Sequence, residues 1–289
     1  MPDEYLGHRL CNLIVPEEPE VFVLPTPSGE WEFARDGNYT ESKRAIQEGK
    51  CAGTYAISRS VDVSHGRAAA LDVAFEELLP ICLGASFLTG LTVRPFQDLM
   101  RSAVQFLQIG SHFPRERSMG QGWAMAATLV DFVADLEVFV REYPALEQSE
   151  KARLLIHHWL DALAYWSLED LTLSATTMLE IIAATAERVA AAAGTPRTTF
   201  VTRINYAADR FGLQHLPAEF RMMRNDLVHE GHLSGTRFPN KTEIECAQAA
   251  AGALDWIDRY ICAIFGLGTP RSIRFGMNAF VGINAFSLN

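Results

Sequence analysis

The sequence predicts an α+β protein that is mainly helical, with a small N-terminal β-sheet plus helices and an antiparallel helical bundle in the C-terminal half. Three observations lead to this fold class. As far as about Val63, apolar residues form short runs broken by turn-forming residues, which is typical of strands. After Gly66, apolar residues recur every three or four positions, as on one face of a helix. The connections between the later helices are short, and short connections favour antiparallel neighbours.

The N-terminal segment contains a series of short predicted strands. Turn-forming residues lie between them at Pro25–Gly29 and Arg35–Asn38, which favours a small antiparallel sheet. The predicted strands are Leu10–Val15, Val21–Leu24, Trp31–Phe33 and Tyr55–Ile57.

Helices are predicted next, and the last of them is expected to end at Pro144. They span Ala68–Leu88, Phe96–Ile109 and Ser118–Glu142. The polar segment Pro144–Glu150 that follows is the predicted domain boundary. Residues 1–143 carry no constellation of chemically reactive side chains, so we expect this domain to serve in sensing or interaction.

The second domain, residues 150–267, is predicted to be a helical bundle. Its predicted helices are Lys151–Leu168, Leu171–Ala193, Thr198–Phe211, Pro217–His229 and Thr242–Phe265. Pro217 suits the first turn of a helix, and Gly231 suits a helix end. The tail, residues 268–289, is too apolar to be left in solvent. It is expected to pack on its own domain, on the N-terminal sheet or on a partner chain.

Charge and composition exclude several classes of protein. A net charge of -10 argues against a protein that coats nucleic acid or an anionic membrane, because such binding needs a basic surface. The 5 cysteines are odd in number and lack CxxC spacing, which disfavours both a disulfide framework and a zinc site. The N-terminus is acidic, unlike a secretory signal, and no uncharged run approaches the ~20 residues that cross a bilayer. We therefore expect a soluble cytoplasmic protein that uses no metal and no other cofactor.

One short segment, Arg221–Gly231, places arginine, asparagine and histidine near the end of one amphipathic helix. At ~100° per residue, Arg221, Asn225 and His229 follow one stripe of that helix, and Arg224 lies beside it. The opposite, apolar side is formed by Phe220, Met223, Leu227 and Val228. An arginine neutralises a phosphate and a histidine exchanges protons near neutral pH, so the group suits chemistry on a phosphodiester without metal. The alternative is a solvated arginine with a histidine that complements the helix dipole.

The stretch Arg224–His229 reads Arg-Asn-Asp-Leu-Val-His, follows four predicted helices, and precedes Gly231 and one more long helix. In these respects roughly Glu150–Leu267 resembles the HEPN family (higher eukaryotes and prokaryotes nucleotide-binding), many members of which carry arginine, a polar residue, three further residues and histidine. The resemblance implies a homodimer whose motif helices meet across a cleft. It also implies a metal-independent endoribonuclease of toxin–antitoxin or antiphage systems, with RNA as substrate and an antitoxin or trigger as a further partner.

The same resemblance implies a role for each motif residue. Arg224 would hold and neutralise the scissile phosphate, His229 would act as general acid or base, and Asn225 would help to orient the site. The ribose 2′-hydroxyl would attack the adjacent phosphorus, leaving a 2′,3′-cyclic phosphate and a 5′-hydroxyl. Arg221 is a further candidate for contact with the RNA backbone. Arg224 and His229 are ~140° apart around an ideal helix, so a two-fold dimer would place them about one phosphate better than one subunit does.

Neighbouring residues carry expectations of their own. Glu169 and Asp170 lie between the first two predicted helices of the bundle. They would either approach Arg224 or serve in helix capping and solvation at a turn, and the second role is preferred. His232 is a second candidate proton carrier, and Glu230 is expected to point to solvent because a carboxylate facing the site would repel phosphate.

Two other functions are compatible with the same residues. The bundle would be a non-catalytic HEPN-like module that binds a nucleotide or protein partner, or a purely structural dimer within a larger assembly. The sequence has no phosphate-binding glycine loop and no Gly-x-Ser-x-Gly nucleophile turn, so it offers no competing catalytic motif.

Overall fold

The computed structural model describes residues 4–62, 64, 66–96, 113–114, 124–164, 167–267 and 274. The fold is mixed α+β and mainly helical, with one small antiparallel sheet, which confirms this part of the predicted fold class. The chain divides into two compact units, Met1–Pro144 and Ala145–Asn289. Within the described ranges, no helix has the length and apolar character that a membrane span requires.

The first unit contains a sheet of strand order β2-β3-β4-β1-β5, in which every neighbouring pair is antiparallel. The strands are β1 (Glu4–Cys11), β2 (Val21–Thr26), β3 (Gly29–Arg35), β4 (Gly53–Val61) and β5 (Arg94–Phe96). Side chains alternate across the sheet as the two-residue period requires: Phe22 and Leu24 are buried while Val21 and Val23 are exposed. The second, third and fourth predicted strands are confirmed as parts of β2, β3 and β4.

The first predicted strand is wrong at both ends. β1 ends at Cys11 instead of continuing to Val15, because the chain turns at Asn12, which has a φ of 61°. The Asn12 side chain holds this turn: Nδ2 donates to the carbonyl oxygen of Thr92 at 3.2 Å, and Oδ1 accepts from the N–H of Ala52 at 3.2 Å. The apolar residues after the turn are buried outside any strand, so their hydrophobicity reflects the core and not an extended ladder.

Helices α1 (Tyr39–Gln47) and α2 (Arg67–Thr89) both contact β4. The predicted helix Ala68–Leu88 is confirmed by α2. Sequence analysis missed α1, because it buries only Tyr39 and Ile46 and so has no repeating apolar stripe. The predicted helix at residues 96–109 is wrong at its first residue, which closes β5; residues 97–109 lie outside the described ranges.

Helix α3 (Leu129–Ser149) begins later and ends later than predicted. It starts after Thr128, whose Oγ1 accepts from the N–H of Asp131 at 3.2 Å, while residues 118–123 lie outside the described ranges. The helix continues through Pro144. The backbone N–H of Glu150 donates a hydrogen bond to the carbonyl oxygen of Leu146 and closes its last turn. A proline has no backbone N–H, so one hydrogen bond of the helix is lost, but the following turn can still form.

The described residues of the second unit form the five predicted helices. They are α4 (Ala152–Leu163), α5 (Leu168–Ala192), α6 (Phe200–Arg210), α7 (Ala218–Glu230) and α8 (Glu243–Phe265). Helix α5 is central, because it contacts each of the other four. Ser167, Thr199 and Thr242 cap the starts of α5, α6 and α8 through their hydroxyl oxygens, as N-cap residues commonly do.

The C-terminal tail contacts its own unit at Arg274, the one tail residue that the structure describes. This side chain is buried and its Nη2 is paired with Asp258 of α8. Its Cζ lies 4.3 Å from the ring centroid of Trp159 in α4. Burial raises the pKa of Asp258, and the Arg274 charge opposes that rise. The sequence left three surfaces open for packing of the tail. Arg274 packs on one of them, the tail's own domain.

Candidate functional site

Helix α7 carries the predicted motif on a segment with one strongly buried side. It ends at Gly231, whose φ of 74° forms a left-handed cap. Phe220 and Met223 are fully buried, as the apolar pattern predicts. The assignment of Val228 to this side is wrong, because it is exposed, and Asp226 is fully buried instead. The buried side of the helix therefore includes one carboxylate, that of Asp226, among its apolar side chains.

The guanidinium of Arg224 is held by three elements. Its Nη2 donates to the carboxylate of Glu180 on α5, and its Nη1 donates to Oδ1 of Asn225 at 3.3 Å. Its Cζ lies 5.1 Å from the ring centroid of Phe200, the first residue of α6. The side chain is still 21% exposed, and its buried Nε has no hydrogen-bond partner among the described residues. An oriented arginine that keeps exposed surface is suited to binding an added anion.

The carboxylate at Arg224 is not one of those considered from the sequence. Glu169 and Asp170 lie in the first turn of α5, where the hydroxyl of Ser167 accepts from the N–H of Asp170 at 3.0 Å. These two residues therefore belong to the capped helix start, where acidic side chains complement the dipole. Glu180 lies about three turns further along the same helix and contacts Arg224 there. Only the packing of α5 against α7 identifies it.

His229 lies in the last turn of α7 and is exposed. No hydrogen bond or ion pair joins it to Arg224 within the described residues. The structure thus brings Arg224 and Asn225 together and leaves His229 apart from them in one chain. Arg221, on the same helix, is half-buried, and His232 is exposed just beyond the helix end.

Asp226 is the residue of the motif that sequence reasoning missed. It is fully buried, and its carboxylate accepts from the backbone N–H groups of Gly235 at 3.1 Å, Arg237 at 3.1 Å and Phe238 at 2.7 Å. The signal was available, because Asp226 lies three positions after the core residue Met223 and therefore on the buried side. A carboxylate in such a place needs several donors, since an unpaired buried charge is costly. Asp226 is a structural anchor for the following loop.

The loop at residues 231–242 is fixed to α7 by further contacts. Glu230 accepts from the N–H of Thr236 at 3.1 Å, so its carboxylate serves the loop while the residue remains exposed. Ser234 Oγ donates to the carbonyl of Phe238 at 2.8 Å. Gly235 leaves room for this arrangement: a Cβ there would lie 2.5 Å from Glu230 Oε2 and 3.1 Å from the Asp226 side chain. We call this set of contacts the Asp226 clasp.

No group of three or more His, Cys, Asp or Glu side chains in the described part of the chain could hold a metal ion. Comparison of the chain with family models, with curated proteins and with solved structures finds no match. The residues of the site offer an oriented guanidinium for negative charge and an exposed imidazole for proton transfer on the same helix.

Proposed function

We propose that this protein is a metal-independent endoribonuclease of the HEPN type, in which Arg224 and His229 carry the chemistry. The observation that supports it best is the state of Arg224. Its guanidinium is oriented by Glu180, Asn225 and Phe200, yet 21% of the side-chain surface stays exposed. A guanidinium that is already oriented and still partly exposed can meet a phosphate without first losing conformational freedom.

The proposed reaction needs a base, an acid and a charge-neutralising group. A base takes the proton of the ribose 2′-hydroxyl as that oxygen bonds to phosphorus. The bond from phosphorus to the 5′-oxygen breaks, and an acid protonates that leaving oxygen. The products are a 2′,3′-cyclic phosphate and a 5′-hydroxyl. His229 supplies proton transfer, and Arg224 neutralises the phosphorane charge. DNA is spared because it lacks the 2′-hydroxyl.

A homodimer through α7 is part of the proposal. The Arg224 side chain contacts α5 and α6, whereas His229 is exposed about 140° away around the helix. Pairing two copies of one surface about a two-fold axis would let the His229 of each copy approach the Arg224 of the other. The first unit would then sense a trigger or guide substrate. The biological setting proposed is a cytoplasmic toxin or antiphage effector restrained by an antitoxin or trigger.

The test is RNA cleavage in the presence of EDTA by the full chain and by matched variants. Arg224→Ala and His229→Ala should each lower the rate by about 10²-fold or more, as loss of a proton-transferring or charge-neutralising group does. His215→Ala, which removes an exposed imidazole paired with Asp209 on the same unit, is the control and should retain activity. Fragment ends should carry cyclic phosphates. Cleavage that survives both substitutions would refute the assigned site, and uncleaved RNA would favour the non-catalytic module.

Mixing the two inactive variants tests the shared site. In a heterodimer of Arg224→Ala with His229→Ala, one of the two sites regains both groups if each site draws on both chains. Random exchange makes about half of the dimers mixed, so activity should return to about a quarter of the original. No recovery, with subunit exchange verified by mass spectrometry, would show that each chain forms its own site.

A further inference from the structure

The arginines of the second unit differ sharply in what they contact. Six of those described pair with a carboxylate: Arg153, Arg203, Arg210, Arg224, Arg259 and Arg274. Arg188 bonds to a threonine hydroxyl, and Arg197 lies over the ring of Tyr206. Of the arginines of this unit that the structure describes, only Arg221 and Arg237 have side chains with no ion pair, hydrogen bond or ring contact. In an acidic protein, cations without a local carboxylate are the ones available to an external anion.

By helix geometry, Arg221 and Asp226, the residue that bonds the backbone of Arg237, flank His229 around the helix axis. Arg221 precedes it by eight positions, which is ~80° around the helix in one direction. Asp226 precedes it by three positions, ~60° in the other direction, and the backbone N–H of Arg237 donates to both carboxylate oxygens of Asp226 at 3.1 Å. The Asp226 clasp therefore holds the backbone of Arg237 beside the motif helix while the side chain is exposed.

Fixing the backbone of Arg237 lowers the cost of using its side chain. The next residue, Phe238, is buried. Ser234 forms a hydrogen bond within the same loop, and Glu230 at the end of α7 accepts one from it. Binding an anion here would neither order a mobile loop nor break an existing ion pair, and both of those costs reduce affinity when they apply. Spacing along the chain does not indicate this role, because Arg237 is thirteen positions from Arg224 and lies in a polar loop.

We propose that Arg237 binds a phosphate of the RNA strand next to the scissile one, so that the strand crosses His229 between Arg221 and Arg237. This inference rests on the proposed ribonuclease function for its ligand. It assigns Arg237 to substrate binding and gives the Asp226 clasp the task of positioning it.

The test measures binding of a labelled single-stranded RNA to the full chain in a His229→Ala background, which prevents cleavage. Fluorescence anisotropy is followed from about 50 mM to about 200 mM salt. Adding Arg237→Ala should reduce the salt slope of log K by about 0.7 and weaken binding at low salt by roughly threefold to tenfold. The substitution keeps the backbone N–H that bonds Asp226, so the loop should keep its fold. Arg197→Ala removes the same charge elsewhere on the unit and should leave the slope unchanged.

Cleavage by chains that retain His229 separates the two proposals. Arg237→Ala should raise KM while kcat stays within about twofold, because a phosphate contact away from the reacting atoms contributes to binding alone. An unchanged salt slope in Arg237→Ala, an equal change in Arg197→Ala, or a parent chain that binds no RNA would each overturn the assignment. If binding depends on Arg237 but the parent never cleaves RNA, the binding site stands and the ribonuclease proposal fails.

Discussion

The two units each contain an arginine–glutamate pair beside an aromatic ring, and the pairs differ in how completely they are bonded. In the first unit, Arg59 and Glu77 are 2.9 Å apart, and their side chains are only 8% and 10% exposed. In the second unit, the Arg224 and Glu180 side chains are 21% and 46% exposed. Both guanidinium groups lie over a ring, that of Trp31 for the first and that of Phe200 for the second.

The difference lies in the donors. Every nitrogen of the Arg59 guanidinium has an acceptor: Nη1 bonds Glu77 and the Ser28 hydroxyl, Nη2 bonds the Ser28 carbonyl, and Nε bonds the Ser60 carbonyl at 3.5 Å. Glu77 also accepts from Trp31 Nε1 at 2.8 Å. A buried pair with all its partners is a structural element. Arg224 is supported but partly exposed, and exposed surface is what a guanidinium needs to meet a ligand.

The largest expected effect is on the buried pair. Arg59→Ala should lower the free energy of unfolding of the first unit by about 3–5 kcal/mol, because it leaves the Glu77 charge buried without its partner. Arg224→Ala is the matched variant, and it should cost about 1 kcal/mol or less because Glu180 remains solvated. Amide hydrogen exchange in peptides from β4 and from α7 reports the two units separately. Equal losses of stability in Arg59→Ala and Arg224→Ala would contradict the predicted difference between the buried pair and the partly exposed one.

The Asp226 clasp should rank next. Asp226→Asn should lower stability by about 1–3 kcal/mol, because the amide nitrogen faces backbone donors and leaves buried N–H groups without an acceptor. Exchange of the Gly235, Arg237 and Phe238 amides should accelerate. Asp209→Asn removes an exposed carboxylate of the same unit and should leave those amides protected. Unaltered exchange in Asp226→Asn would show that the loop is held without the clasp.

Glu180 should affect function more than stability. Glu180→Ala should change the free energy of unfolding by about 1 kcal/mol or less, since the pair with Arg224 is half-solvated. It should nevertheless slow RNA cleavage, because Arg224 loses one of its three supports. Glu180→Gln keeps an acceptor oxygen and should retain more activity than Glu180→Ala. A faster Glu180→Ala enzyme would instead mean that the carboxylate competes with the phosphate.

The smallest expected effect concerns the far end of the same loop. Lys241 donates to Glu245, and with the two Thr242 bonds it lowers the pKa of Glu245 to about 2. A lowered pKa stabilises the fold above the ordinary carboxyl range near 4.5, and this contribution is lost as pH falls toward 2. The protection of the Thr242 amide, meaning its exchange rate relative to that of an unfolded chain at the same pH, should therefore fall on acidification over that interval. In Glu245→Gln this protection should be low at both ends of the interval and nearly independent of pH.

Sequence periodicity predicted most helices because it reports burial along one chain segment. The helices of the second unit lie within three residues of their predicted bounds except at the end of α4, which is Leu163 and not Leu168, the first residue of α5. Gly231 ends α7 as its position suggested. Periodicity failed where a bond from another segment decided the outcome. The end of β1 depends on the hydrogen bonds that the Asn12 side chain forms with Thr92 and Ala52. Helix α1 buries too few residues to produce a repeating apolar pattern in the sequence.

The sequence by itself determined the mixed α+β class, the helices of the second unit, and the placing of Arg221, Arg224, Asn225 and His229 on one helix. These follow from local propensity and from the 3.6-residue period. Only the tertiary structure decided that Glu180 supports Arg224, that Asp226 is an anchor and that Arg237 lies beside the motif. Each of those depends on contacts between distant segments. Such contacts arise from packing and from the need of buried polar groups for partners, neither of which spacing along the chain records.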